Sequence, residues 1–192
     1  NEDGGFNWGY APVFYFAPEA SYARAPLAGS QYFEFKRLVN ELHRRGLGVV
    51  LDVVFNHVGS PNIFNLLDKK YFFRLNPDYT FSNFSGCGND VKSEAPMMRR
   101  LIVDNIVYWM KEFHVDGFRF DLMALEDIDT LNAVKAAAKA INPNVLIYGE
   151  GWTGRTSTFP KDPQSLKINV SMLEDIAVFS DVIRDAIKGH VF

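Results

Sequence analysis

Eight residues, Val115 to Leu122, reading VDGFRFDL, limit the fold more than any other feature of this chain. The run is short and apolar except for an Arg and an Asp, which predicts a buried parallel strand that delivers both to one end. A strand repeats every two residues, so Arg119 and Asp121 point to one side while Phe118 and Phe120 point to the other. An Arg beside an Asp keeps that carboxylate ionised.

Two more segments repeat the arrangement. Gly48-Val49-Val50-Leu51-Asp52-Val53 carries Asp52 near its end, and Asn144-Val145-Leu146-Ile147-Tyr148-Gly149-Glu150 ends on Glu150. Both are nearly continuous apolar runs, as expected of strands covered on two faces. One helix-length segment, Glu126 to Ile141, separates the second strand from the third and suits a parallel crossover. Three successive parallel strands place Asp52, Asp121 and Glu150 at one C-terminal edge, where α/β barrels build active sites.

Composition narrows the class. Of 192 residues, 47% are hydrophobic and 15% aromatic, enough for a substantial single core. A net charge of -3, with basic and acidic residues interspersed, lacks the footprint of nucleic-acid binding. No run of about 18 apolar residues is available for a membrane span, and the single cysteine, Cys87, rules out an internal disulfide framework. A complete eight-stranded α/β barrel needs about 250 residues. The chain, which opens in the loop Asn1 to Gly5, is therefore expected to be one domain that forms part of a larger catalytic barrel.

Taken in order, residues 1–30 read as an aromatic-rich loop in which Trp8, Tyr10, Phe14 and Tyr15 either cover the barrel rim or offer flat faces to sugar rings. Gln31 to Arg45 is an amphipathic helix with Phe35, Leu38, Val39 and Leu42 on one face, a solvated His43, and Gly46 as its stop. After Asp52 the chain leaves regular order from Asn56 to about Ala95. That excursion is too long for an ordinary connection and too aromatic for disorder, so it is expected to fold over the site as a lid or small subdomain. Pro96 opens a helix whose Met98, Ile102, Ile106, Trp109, Met110 and Phe113 form a core stripe. A further strand near Ala177-Val178-Phe179 and the start of a helix close the chain.

Two carboxylates facing each other, one ionised and one protonated, are the minimum for glycoside hydrolysis. Asp121, beside Arg119, suits the ionised nucleophile, and Glu150 on the neighbouring strand suits the proton donor. Adjacent strands lie about 4.8 Å apart, which fits the roughly 5 to 5.5 Å carboxyl separation of retaining enzymes. Strand-end salt bridges would explain any one acid alone. Three acids on consecutive strands, with Arg119, Asn56 and His57 at the same edge, point to a site. A metal would use such Asp, Asn and His ligands too, but no close-spaced pattern of the HExxH kind supports one.

At these residues the chain resembles the α-amylase superfamily, glycoside hydrolase family thirteen. The similar stretches are Asp52-Val53-Val54-Phe55-Asn56-His57, Gly117-Phe118-Arg119-Phe120-Asp121 and Tyr148-Gly149-Glu150-Gly151-Trp152, three motifs in order. Asn7-Trp8-Gly9-Tyr10, Ser85-Gly86-Cys87-Gly88-Asn89-Asp90 and Asp121-Leu122-Met123 look like type I pullulanases, debranching enzymes that hydrolyse α-1,6 links in pullulan and branched α-glucans. The resemblance implies a (β/α)8 TIM-barrel catalytic domain, of which this chain supplies about strands 2 to 6. It implies Asp121 as nucleophile, Glu150 as general acid/base and Arg119 as the partner of Asp121. Asn56, His57, Leu122, Tyr10 and Trp8 are implied around the sugar, Tyr10 by stacking, and Trp152 on the leaving-group side, with Asp52 a structural acid beneath. The implied partner is an α-glucan. No cofactor is required, and calcium, common among relatives, has no convincing ligand cluster here. Ala11 stands where the family loop carries Asp. The family's later His-Asp pair has no match before Phe192, so the isolated stretch is expected to be inactive. Rival readings are an isoamylase, branching enzyme or α-1,4 amylase, or a non-catalytic α-glucan-binding homologue.

Overall fold

The computed structural model describes residues 8–156 and 164–189. The opening loop Asn1 to Gly5, Asn7 of the first aromatic motif and Phe192 lie outside them.

Four strands, β1 (Val50–Val53), β2 (Gly117–Phe120), β3 (Leu146–Gly149) and β4 (Ala177–Val178), form one parallel sheet in that order. Around them run helices α1 (Ser30–His43), α2 (Ile63–Phe72), α3 (Pro96–Phe113), α4 (Ile128–Ile141) and α5 (Asp181–Lys188). This is a mixed α/β fold with a parallel sheet, as the three apolar runs required. α4 provides the expected crossover, its first turn capped by the Asp127 carboxylate, which accepts from the Thr130 N–H at 3.0 Å.

The core lies between β2 and the helices. Phe118 and Phe120 are fully buried, against the α3 stripe of Met98, Ile102, Ile106 and Phe113 and the α4 residues Leu131, Val134 and Ala138. Each buried Phe contributes roughly 2–3 kcal/mol of transfer free energy. That burial forces the alternate residues, Arg119 and Asp121, to the opposite face.

Three local expectations change. α1 buries Val39, but Leu38 is 53% exposed, because its side looks onto a cavity of about 560 Å³ along the open edge of β1. That cavity is lined by Leu51, Val53, Phe55 and Trp109 and meets the strand-end acids only at Asp52. His43 is not simply solvated, since its Nε2 lies 2.8 Å from Asp116 Oδ2, and that carboxylate also accepts from the Val49 N–H.

Nor is the 56–95 excursion irregular throughout. Asn62 caps α2, which Asp68 interrupts, and antiparallel bridges join Phe73 to Val91 and Leu75 to Phe81. The aromatic density that excluded disorder also hid a helical period, since Phe64, Tyr71 and Phe72 pack at once on the core and on each other. The excursion is pinned to the sheet ends: Val91 N–H donates to Asn56 O at 2.9 Å, and Arg155 N–H donates to Phe84 O at 2.8 Å. Among the described residues no helix is long and apolar enough to cross a membrane.

Candidate active site

Strand register builds the site. Asp52 lies level with Arg119, and Arg119 with Tyr148, while one rung further Phe120 lies between Val53 and Gly149. Asp121 and Glu150 are the next residues on their strands and leave the sheet side by side. Their N–H groups donate to Val53 O at 3.0 Å and Phe120 O at 3.1 Å. With a period of two, Asp52, Arg119, Asp121 and Glu150 share a face, Asp52 and Arg119 two residues below the other pair.

One guanidinium joins all three acids. Arg119 Nη1 donates to Asp52 Oδ1 at 2.8 Å and to Asp121 Oδ1 at 3.0 Å, and Nη2 donates to Glu150 Oε1 at 2.5 Å. Because both acids touch one fork, their nearest oxygens are at most about 8 Å apart. Burial works against the charge of Arg119, but the Asp52 hydrogen bond and the fields of Glu150 and Asp52 outweigh it, so its affinity for its proton rises. Asp52 sits beneath the pair, as the motif implied, yet its side chain is 44% exposed, because β1 is an edge strand among the described residues.

Asn56 holds Asp121, and His57 in turn holds Asn56. Asn56 Nδ2 donates to Asp121 Oδ2 at 3.1 Å and to Asp121 O at 2.8 Å. Its Oδ1 lies 2.6 Å from His57 Nδ1, which therefore carries the proton of that contact. Burial lowers the His57 pKa, which favours a neutral ring. Asn56 is 1% and His57 3% exposed, so both form the layer beneath the cleft.

Glu150 is oriented by the main chain of the neighbouring strand. Leu122 turns into the left-handed region, φ 43° and ψ 45°, a conformation that costs a non-glycine residue about 1–3 kcal/mol. The turn aims the Leu122 N–H at Glu150 Oε2, 2.9 Å away. In the short helical turn that follows, Met123–Leu125, the Ala124 N–H donates to Glu150 O at 3.1 Å. Gly149 lets this turn approach, since a Cβ there would lie 2.8 Å from Met123 Sδ. Burial raises the Glu150 pKa above its usual value, helped by Asp121 and opposed by the Leu122 N–H and Arg119.

Aromatic rings flank the guanidinium on two sides. The Tyr10 hydroxyl donates to Asp52 Oδ2 at 2.8 Å, which raises the phenol pKa, and its ring centre lies 5.9 Å from the Arg119 guanidinium carbon. Phe179, directly after β4, stands at the same 5.9 Å on another side and packs edge-on to Tyr148 at 5.4 Å. Trp152 reaches this flank through Phe179, ring centres 6.1 Å apart. Trp8 is 78% exposed.

The structure brings the expected residues Arg119, Asp121, Glu150, Asn56, His57 and Tyr10 together around one point, with the Leu122 N–H on Glu150. The sequence reading does not single out Phe179, although the fourth strand it predicts ends there, at the same edge as the acids. Among the described residues no group of three or more His, Cys, Asp or Glu side chains could hold a metal.

A parallel sheet whose strand ends carry a paired Asp and Glu on one guanidinium, rimmed by aromatic rings, has the parts of a two-carboxylate glycosidase site. Over nearly all of its length the chain is similar to pullulanases. It is 44% identical over 192 residues to the pullulanase of Bacillus subtilis (strain 168), covering 97% of this chain and 26% of that protein. The crystal structure of type I pullulanase from Bacillus subtilis str. 168 complexed with maltose superposes with a TM-score of 0.92 at 42% identity, over 97% of this chain and 26% of that one. For the pullulanase from Paenibacillus barengoltzii in complex with maltohexaose and alpha-cyclodextrin the TM-score is 0.93 at 42% identity, over 97% and 29%. The chain therefore spans about a quarter of the length of these relatives. No protein-family model matches it.

Proposed function

We propose that the chain is the central part of the (β/α)8 catalytic barrel of a debranching enzyme of the α-amylase superfamily, and that the whole protein hydrolyses α-1,6 links in pullulan and branched α-glucans with retention of configuration. The observation that carries this reading is the sharing of Arg119 by Asp52, Asp121 and Glu150, with Asp121 and Glu150 at adjacent strand ends. The oligosaccharides bound in the structures of the similar pullulanases support an α-glucan partner.

In this reading Asp121 attacks the anomeric carbon. Arg119 and Asn56 each hold one of its oxygens, so the carboxylate is aimed. Glu150 gives a proton to the departing glycosidic oxygen and then takes one from the incoming water, so the oxygen of the water ends on the sugar and Asp121 is released. At rest both Glu150 oxygens accept hydrogen bonds, the geometry of the base. Protonation requires Oε1 to leave Arg119, and burial favours that uptake. Tyr10 and Trp8 stack on the sugar ahead of the bond, and Trp152 with Phe179 lines the leaving-group side. The reaction needs no metal.

The test is hydrolysis of pullulan against linear amylose by the whole protein, read across pH. The raised Glu150 pKa means that the acid is protonated below it and loses its proton above it, so kcat/KM on pullulan should fall on the alkaline side of a limb displaced upward from an ordinary glutamate. Cleavage of amylose but not pullulan, or a profile flat on that side, would contradict the assignment.

A further inference from the structure

We propose that Arg74, on the excursion between β1 and α3, is a positioning residue for Glu150: it clamps the turn whose N–H groups orient that carboxylate. Three observations meet here. Arg74 is only 9% exposed, and its Nη1 donates to the main-chain oxygen of Leu125 at 2.8 Å, the last residue of the Met123–Leu125 turn. That turn begins at the strained Leu122 and sends two N–H groups to Glu150, one to its carboxylate and one to its main-chain oxygen. Arg74 is itself held, through Nη2 to Glu94 Oε2 at 2.6 Å and through main-chain bonds to Asp90 and Ser82. The excursion thus reaches the turn that holds Glu150 through one main-chain carbonyl.

The neighbouring Glu126 sharpens the point. Its carboxyl is fully buried and has no hydrogen-bond partner among the described residues, although it feels the charge of Arg74. Burial raises the pKa of that carboxyl well above its usual value, opposed by the charge of Arg74 and aided by Asp121 and Asp127. A guanidinium beside a buried acid ordinarily pairs with it. Here an Arg74 donor goes to the Leu125 carbonyl oxygen instead, which fixes the turn.

The inference rests on the reading of Glu150 as general acid. The charged groups facing Glu150 are Arg119, Asp121 and Asp52, and those around Arg74 are Glu94 and Glu126. Freed from Arg74, the turn relaxes away from its left-handed start, and the Leu122 N–H that lowers the Glu150 pKa is weakened. The alkaline limb therefore moves to higher pH, while kcat falls about tenfold, since misplacement by a fraction of an ångström carries such a cost, and KM stays within about twofold.

The experiment compares Arg74→Met and Arg74→Lys with the unaltered whole protein, measuring kcat, KM and the pH profile on pullulan together with the melting temperature. Lysine keeps the charge but offers one nitrogen, which goes to Glu94 and leaves the Leu125 oxygen. Both variants are expected to lower kcat and move the limb upward. A limb that stays in place while melting temperature falls, or one that moves in Arg74→Met alone, would overturn the proposal in favour of a purely structural or long-range charge effect. If Arg74→Met does not fold, Arg74→Lys decides by the same criterion. An unaltered protein without an alkaline limb would instead refute the role of Glu150.

Discussion

An Asp121→Asn variant of the whole protein is expected to lose at least about a hundredfold in kcat on pullulan, with little change in binding of the polymer. The amide has nearly the shape of the carboxylate but no charge with which to attack. The environment is built for charge: one oxygen on the Arg119 fork, the other on the Asn56 amide, and a side chain only 15% exposed. Asparagine would turn an N–H₂ toward one of these two donors, so the variant also weakens the local network. Measuring kcat beside the affinity for a non-hydrolysed oligosaccharide separates lost chemistry from lost binding. Activity within a few-fold of the unaltered protein would remove Asp121 from the nucleophile's position.

Replacing Arg119 is expected to act on chemistry and stability together. Its side chain is 16% exposed, and breaking a pair this buried costs about 3–5 kcal/mol. In Arg119→Met three carboxylates that shared a cation face one another at adjacent strand ends, which raises their affinity for protons. The sign follows from that rise: the variant folds best where the acids are protonated and loses stability as pH climbs. The melting-temperature gap between variant and unaltered protein should therefore widen from about pH 4 to about pH 7, and kcat at neutral pH should fall by about a thousandfold or more. A gap independent of pH would mean that Arg119 packs rather than compensates charge.

How much of this was legible beforehand differs by residue for a physical reason. β1, β2 and β3 could be read because each is a short, nearly continuous apolar run, and the acids near their ends broke that pattern. Once Phe118 and Phe120 are assigned to the core, alternation alone sends Arg119 and Asp121 to the cleft. What sequence could not reveal depends on pairing between distant segments. Leu122 carries no turn signature, since its left-handed backbone is imposed by the packing of the Met123–Leu125 turn on β3. Arg74 is one of many basic residues until the excursion folds back and sets it on Leu125. Phe179 gained its place only when β4 joined β3, with the Phe179 N–H on Gly149 O. The helix α2 was hidden because its aromatic residues answer to contacts within the excursion as well as to the core. The Ala11-Pro12 loop lies so close to Gly59 that a Cβ there would come within 2.4 Å of the Ala11 main-chain oxygen.

The most direct test of two facing acids with a covalent step is to trap that step. The whole protein, with Glu150→Gln to slow release, would be incubated with an activated α-glycosyl fluoride, quenched in acid and digested, and the mass of each peptide read. The account predicts a glycosyl increment on the peptide containing Asp121 and on no other. An increment elsewhere, or none while the anomeric product appears inverted, would contradict it.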